Sequence, residues 1–291
     1  PNSMIVNSQG ELVILGTTGS SDFPVSGTAP DGSFNGGSAI DYASNGTDFT
    51  QGTDIAVFVL SADGTSMVGA TYLGGSANDG LNMDSQLLYN YGDQFRGEII
   101  VDSLDNIYLA SSTISSDMPV TAGVVSGSLN GTQDGCLAKY NPDASTLIWC
   151  SYFGGSASDA SYSIKLNENL DLYVTGGTRS SDLPVDAGAM GPTFMAGTAD
   201  GYVARISNDA TTLINASYIG TSGFDQSYFV EVDEDQDVYL YGQAQGGYPV
   251  TGGTYSDAGS SQFIQKITPD LTTSIYSTVF GSGGSGIDIS P

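Results

Sequence analysis

One phrase recurs along this chain, and it limits the fold more than any single motif. It reads VDSLDNIYLASSTISSDMPVTAG from Val101 and continues as DGCLAKYNPDASTLIWCSYFGG from Asp134. It returns as LNENLDLYVTGGTRSSDLPVDAG with DGYVARISNDATTLINASYIG, and again as VDEDQDVYLYGQAQGGYPVTGG with SQFIQKITPDLTTSIYSTVFG. A further copy opens the chain as VNSQGELVILGTTGSSDFPVSG with DIAVFVLSADGTSMVGATYLGG. The loop prolines Pro24, Pro119, Pro184 and Pro249 are spaced by 95, 65 and 65 residues. The first interval is therefore longer, and the excess divides into insertions at about 33–52, before the third strand, and 81–96, after the fourth. In a repeat array such insertions map to loops, often on the binding face, so both are expected to be contact loops.

Each copy holds four short runs rich in β-branched and aromatic residues, bounded by Gly, Asn, Asp and Pro. In the second copy they are 98–101, 106–111, 136–140 and 147–153, with tight polar turns at 102–105 and 141–144. Forty glycines and ten prolines in 291 residues fit such frequent turns, and no stretch sustains a helical period. A four-stranded unit cannot hide two apolar faces alone, so neighbouring units must stack. The expected fold is an all-β propeller of four-stranded antiparallel blades. Blade units are expected at about 3–75, 98–155, 163–220 and 229–281, as an incomplete segment of a larger ring.

Composition narrows the partners. There are 32 acidic residues, six basic residues and no histidine, for a net charge of −26. Such a surface repels nucleic acid and anionic lipid and keeps a chain dispersed. No apolar run approaches the ~18 residues of a spanning helix, so no membrane insertion is expected. Without histidine, Ser–His and Cys–His nucleophile systems do not arise within these residues.

The residues that could carry chemistry each have a structural reading beside them. Asp233, Asp235 and Asp237 alternate as calcium ligands do, yet lack the glycine and later glutamate of a calcium loop and sit where other copies merely turn. Calcium is the only cofactor the pattern suggests. Asp22, Asp117 and Asp182 repeat before the loop prolines. A recurring carboxylate is read as an acceptor closing a loop, because a glycosidase pair needs two differently tuned acids. Lys139, Arg205 and Lys266 share one repeat position and are expected to pair with carboxylates between strands or blades. Tyr108, Tyr173 and Tyr239, like Tyr72, Tyr152 and Tyr218, are expected in the core. Cys136 and Cys150 flank a turn whose midpoint is 143, so they could lie opposite each other, as a disulfide or as two buried thiols. Asn45, Asn130 and Asn215 begin glycosylation sequons by pattern only.

With those residues in place, the chain resembles the bacterial SBBP repeat, the unit of seven-bladed propellers. The resemblance rests on Asn106-Ile107-Tyr108-Leu109, on Ser115 to Thr121, on Asp134 to Lys139, and on Ser151-Tyr152-Phe153-Gly154-Gly155. Asp22-Phe23-Pro24-Val25, Leu183-Pro184-Val185 and Tyr248-Pro249-Val250-Thr251 match the same segment in the other copies. It covers nearly the whole chain except the two insertions. It departs where the fourth copy lacks the Ser-Asp before Pro249 and where Val59 takes the basic position. The resemblance implies a ring of about seven blades, and a non-catalytic adhesion, recognition or structural module of a large secreted, gliding-motility-associated surface protein of Bacteroidota using type IX secretion. The expected partners are a protein or glycan at a surface, or further domains of the same polypeptide, which the terminal Asp288-Ile289-Ser290-Pro291 would join. A carbohydrate-binding or carbohydrate-active propeller using an acidic pair, and a calcium-dependent assembly component, are the alternatives.

Overall fold

Alternating apolar residues bounded by turn chemistry produce strands from end to end. The computed structural model describes residues 1–42, 47–90, 92–245 and 247–281. Asn45 and Asp288 to Pro291 lie outside the described residues. Among the described residues there are four four-stranded antiparallel sheets and one two-stranded hairpin. The first sheet holds β1 (Ser3–Val6), β2 (Leu12–Thr18), β5 (Asp54–Leu60) and β6 (Met67–Leu73), with β3 (Ile40–Tyr42) and β4 (Thr47–Phe49) forming the separate hairpin. The second holds β7 (Glu98–Val101), β8 (Ile107–Thr113), β9 (Asp134–Tyr140) and β10 (Leu147–Phe153). The third is β11 (Asp159–Leu166), β12 (Leu172–Thr178), β13 (Asp200–Ile206) and β14 (Leu213–Ile219). The fourth is β15 (Asp225–Val232), β16 (Val238–Ala244), β17 (Gln262–Ile267) and β18 (Ser274–Phe280). Each sheet runs in chain order, strand beside strand.

The sheets stack in sequence. Val13, Leu15, Ile55 and Val57 of the first meet Ile99, Ile107 and Leu109 of the second. Tyr108, Leu137 and Trp149 on the opposite face of the second meet Leu172, Val174 and Tyr202 of the third. Tyr173 and Val203 of the third meet Leu240 and Phe263 of the fourth. The first strands of neighbouring sheets lie side by side, β1 with β7, β7 with β11 and β11 with β15, whereas β1 and β15 do not pack in this way. The four sheets therefore form an open series with two end faces.

Three local expectations change. The first strands of the third and fourth sheets begin at Asp159 and Asp225, ahead of 163 and 229, because register shifts at Tyr162 and Tyr228 interrupt their pairing. Those bulges obscure the strand period in the sequence. Segment 81–96 follows the fourth strand of the first sheet, as expected, but it is not a loop outside the sheets; it expands the equivalent bulge in the first strand of the second. Asp79 bridges Thr113 and Gly80 N–H bonds Ser112 O, and pairing resumes at Glu98 opposite Ala110. Finally, Cys136 lies opposite Tyr152 and Cys150 opposite Ala138, because the turn pairs Tyr140 with Leu147 and a bulge between Leu147 and Trp149 displaces the register by one residue more. The cysteines sit diagonally as two free, buried thiols.

Candidate functional site

The repeated polar residues converge on the junctions between sheets. Asp54, Asp134 and Asp200 open the third strands, Asp79, Asp159 and Asp225 open the seams to the next sheets, and all six are fully buried. Asp54 accepts the N–H groups of Asn35 and Gly36 at 2.7 and 3.0 Å, and Asp134 those of Asn130 and Gly131 at 2.8 and 3.2 Å. Asp79 accepts Gly75 N–H at 2.7 Å, Ser115 Oγ at 2.8 Å and the Thr113 hydroxyl. Asp159 accepts Gly155 N–H and Ser180 Oγ, both at 2.7 Å. Gly74 fits between Asp54 and Asp79, and Gly154 between Asp134 and Asp159, where a Cβ would lie 2.6–3.0 Å from carboxylate oxygens. Burial dominates: it lifts Asp54, Asp134 and Asp225 to about 6, and Asp79, Asp159 and Asp200 to about 7. Sequence reasoning missed these pairs, although their signal is present as an aspartate in phase at the third strands of the first three sheets and at the start of each sheet that follows.

Two of the three loop-proline aspartates close the same seams from the following sheet. Asp117 Oδ1 accepts Ser76 N–H at 2.8 Å and Asp182 Oδ1 accepts Ser156 N–H at 2.9 Å, bonds that hold both carboxyls below the usual range. Asp22, in the first sheet, accepts the Ser20 hydroxyl instead. The tyrosine hydroxyls are anchored in the core: Tyr72 bonds Ser20 O, Tyr152 bonds Ser115 O and Tyr218 bonds Ser180 O, at 2.7–2.8 Å.

The run of alternating aspartates holds a lysine. Lys266 Nζ lies 2.8 Å from Asp233 and 2.9 Å from Asp237, and this bonding lowers Asp233 and raises Lys266. Asp233 Oδ1 also accepts the N–H groups of Asp235 and Asp237, closing the turn. One ammonium is thus shared by two of the three carboxylates. Among the described residues no group of three or more His, Cys, Asp or Glu is arranged to hold a metal ion. Arg205 pairs with Asp171 at 2.6 Å. Lys139 departs from the expected carboxylate pairing: it donates to Asn208 Oδ1 of the next sheet at 2.8 Å and lies over the Tyr108 ring.

The insertions behave oppositely. Segment 81–96 is internal: Leu87 is fully buried, and its carbonyl accepts Gln226 Nε2 at 2.9 Å. Asn82 Nδ2 reaches Tyr162 OH at 3.1 Å, and Asn90 Nδ2 reaches Tyr228 OH at 2.6 Å and Gln243 Oε1 at 2.9 Å. Arg96, paired with buried Asp93 at 2.7 Å, stacks 4.0 Å from the centre of the Tyr228 ring. This segment ties the second, third and fourth sheets together, and the contact-loop expectation for it is corrected. The bulge tyrosines offer an apolar ring and a hydroxyl that a polar, glycine-bearing loop can satisfy. The 33–52 insertion is rooted at its base, by Asn35 and Gly36 on Asp54 and by Ser38 O on Asn78. Its hairpin then pairs apart from the sheet, with Asp41 and Asp48 exposed and Ile40 half-buried. A cleft of about 570 Å³ opens between the second and third sheets, floored by Val124, Phe153, Pro184 and Leu213 and edged by Asn130 and Asp182.

No family model and no curated protein matches this chain. Among solved structures it is similar to a protein of unknown function from Dyadobacter fermentans, with 10% identity and a TM-score of 0.37 over 98% of this chain and 84% of the other. That likeness is too distant to carry an activity. Among the described residues no helix is long and apolar enough to cross a membrane.

Proposed function

We propose that the four sheets are consecutive blades of an SBBP-type β-propeller, an arc of a larger ring of about seven blades. It serves as a non-catalytic adhesion or recognition module of a secreted bacterial surface protein, facing a protein or glycan. The stacking order, the side-by-side first strands and the open ends support the propeller reading. The repeat resemblance and the acidic composition support the surface location.

One observation carries the functional reading. The repeated carboxylates and basic residues engage seam and turn partners, whereas the β3–β4 hairpin interrupts the repeat and projects exposed side chains. Its acidic, mixed-polarity tip suits contact with a polar surface. The test replaces residues 40–49 with a short Gly-Ser link, leaving the Asn35, Gly36 and Asn78 anchors in place. Binding to a glycan array and to whole cells should be lost while the circular dichroism spectrum persists. Undiminished binding would move recognition elsewhere. Release of reducing ends from any glycan would replace the non-catalytic reading with the carbohydrate-active one.

A further inference from the structure

In this acidic molecule one arginine presents both of its terminal nitrogens to a cavity. The chain has six basic residues against 32 acidic ones. Lys139 is taken by Asn208, Lys165 by Glu98 and Glu231, and Lys266 by Asp233 and Asp237. Arg205 is taken by Asp171 and Pro269 O, and Arg179 gives Nη1 to Asp84. Arg96 differs. Its Nε donates to Asp93 Oδ1 at 2.7 Å, and neither Nη has a partner among the described residues. The other oxygen of Asp93 accepts the N–H groups of Tyr89 and Asn90 at 2.8 and 2.6 Å. Arginine and a carboxylate commonly pair through two parallel bonds. Here the pairing uses one, and the fork is turned away from Asp93. The Arg96 side chain is 15% exposed, and its Nη atoms reach the surface of a cavity of about 230 Å³.

The fork is held in place before any ligand arrives. The guanidinium lies 4.0 Å from the centre of the Tyr228 ring and 5.8 Å from that of Tyr162, while Asp93 holds Nε. The two tyrosines are themselves fixed, Tyr228 OH by Asn90 and Tyr162 OH by Asn82 and Gln226. A planar donor pair fixed in this way loses little freedom when it binds an anion. The cavity collects Asn2, just ahead of β1, Gly97, just ahead of β7, Tyr162 of β11 and Tyr228 of β15. It therefore lies where the four first strands come together, on the edge that faces the ring axis in the propeller reading. Further blades of the ring would stand around the same central channel, so the site does not require either end face to be open.

We infer that Arg96 makes this cavity a site for one carboxylate group, carried by a uronic acid residue of a glycan. The two Nη groups match the two oxygens of a carboxylate. Charge selects the class of ligand. Asp93 already balances the guanidinium and the whole chain carries −26, so a dianionic phosphate or a run of acidic side chains is repelled. A single carboxylate on an otherwise neutral ligand meets the least repulsion. Size and lining select its carrier: about 230 Å³ takes one sugar ring, with the Asn2 amide for its hydroxyls and the Phe95 ring for a C–H face. The inference goes beyond the hairpin reading and does not depend on it, since β3 and β4 contribute nothing to this cavity.

A heteronuclear NMR titration of the chain, read at the Arg96 Nε–H and the Gly97 amide, tests it. The probes are methyl glucuronide and methyl glucoside, the neutral sugar of the same ring. The glucuronide should give saturable shifts, and the glucoside should bind at least about 10-fold more weakly. Arg96→Lys keeps a cation beside Asp93 but loses the fork, and should weaken glucuronide binding by about 10- to 100-fold. Asn2→Asp leaves the core untouched and sets a like charge at the cavity, which should weaken binding by about 5-fold. It carries the test if Arg96→Lys does not fold. No saturable shift, equal binding of the two sugars, or full affinity in a folded variant of either kind would overturn the inference. Tighter binding of a peptide bearing one glutamate would overturn the sugar assignment in favour of a protein partner. Replacing residues 40–49 should leave glucuronide binding unchanged, so a failure of this site and a failure of the hairpin reading are distinguished.

Discussion

Six buried aspartates hold their carboxyls well above the ordinary range, and they give the molecule a pH dependence. Their folded pKa values lie near 6 to 7 against an ordinary 3.8. Between about pH 4 and 7 the folded chain therefore binds protons that the unfolded chain has released. The associated stability is complete below about pH 4 and is lost as pH rises through 6 and 7. Asp102, Asp117 and Asp182 are shifted downward and act below this window. The urea midpoint should fall from pH 5 to pH 8, by roughly 1–3 kcal/mol for each carboxylate that must ionise while buried. Asp159→Asn should flatten the slope, and a midpoint that rises with pH would contradict the seam chemistry. A second residue-level expectation concerns Asn208, which satisfies Lys139, Tyr108 OH and Trp149 Nε1 across one seam. Asn208→Ala keeps the carbonyl bond to Trp149 and leaves Tyr108 OH its bond to Asp102, but it removes the acceptor of the Lys139 ammonium, costing about 1–3 kcal/mol in chemical denaturation. The phase of these polar residues was legible in the sequence. Their pairing across seams was not, because partners such as Asp54 and Asp79 belong to different sheets.

At the scale of elements, two insertions in one repeat have opposite fates. Segment 81–96 enters at the bulge of an inner strand, where the tyrosines of the next two sheets await partners, and it becomes core. Leu87→Ala should lower stability by about 2–5 kcal/mol, the range for truncating a buried leucine. Replacing residues 40–49 should change stability by about 0.5 kcal/mol or less, since the exposed Asp41 and Asp48 lie beyond the anchors. Thermal melts of both variants against the parent give the comparison. Equal losses would mean that the hairpin is also structural. The strands of the second sheet were readable nearly to the residue because they alternate between turns. The bulges were not readable, since an extra residue in a strand leaves its composition unchanged.

At the scale of the whole molecule, the second and third sheets are covered on both faces and the first and fourth on one. Hydrogen exchange on the chain of residues 1–291 should show slowest exchange in β8, β9, β12 and β13 and faster exchange in β2 and β17, as end units of a repeat array have one stabilising interface fewer. Uniform protection would mean that the four sheets open as one cooperative unit. The sequence by itself determined the strands, the turns and the order of the sheets, because alternation and turn residues act over a few neighbours. The tertiary structure decided which carboxylates share a seam, that a lysine sits among Asp233 and Asp237, that one insertion is internal, and which faces stay open. Those outcomes depend on groups from separate repeats meeting in space, and on the free energy of burying them together.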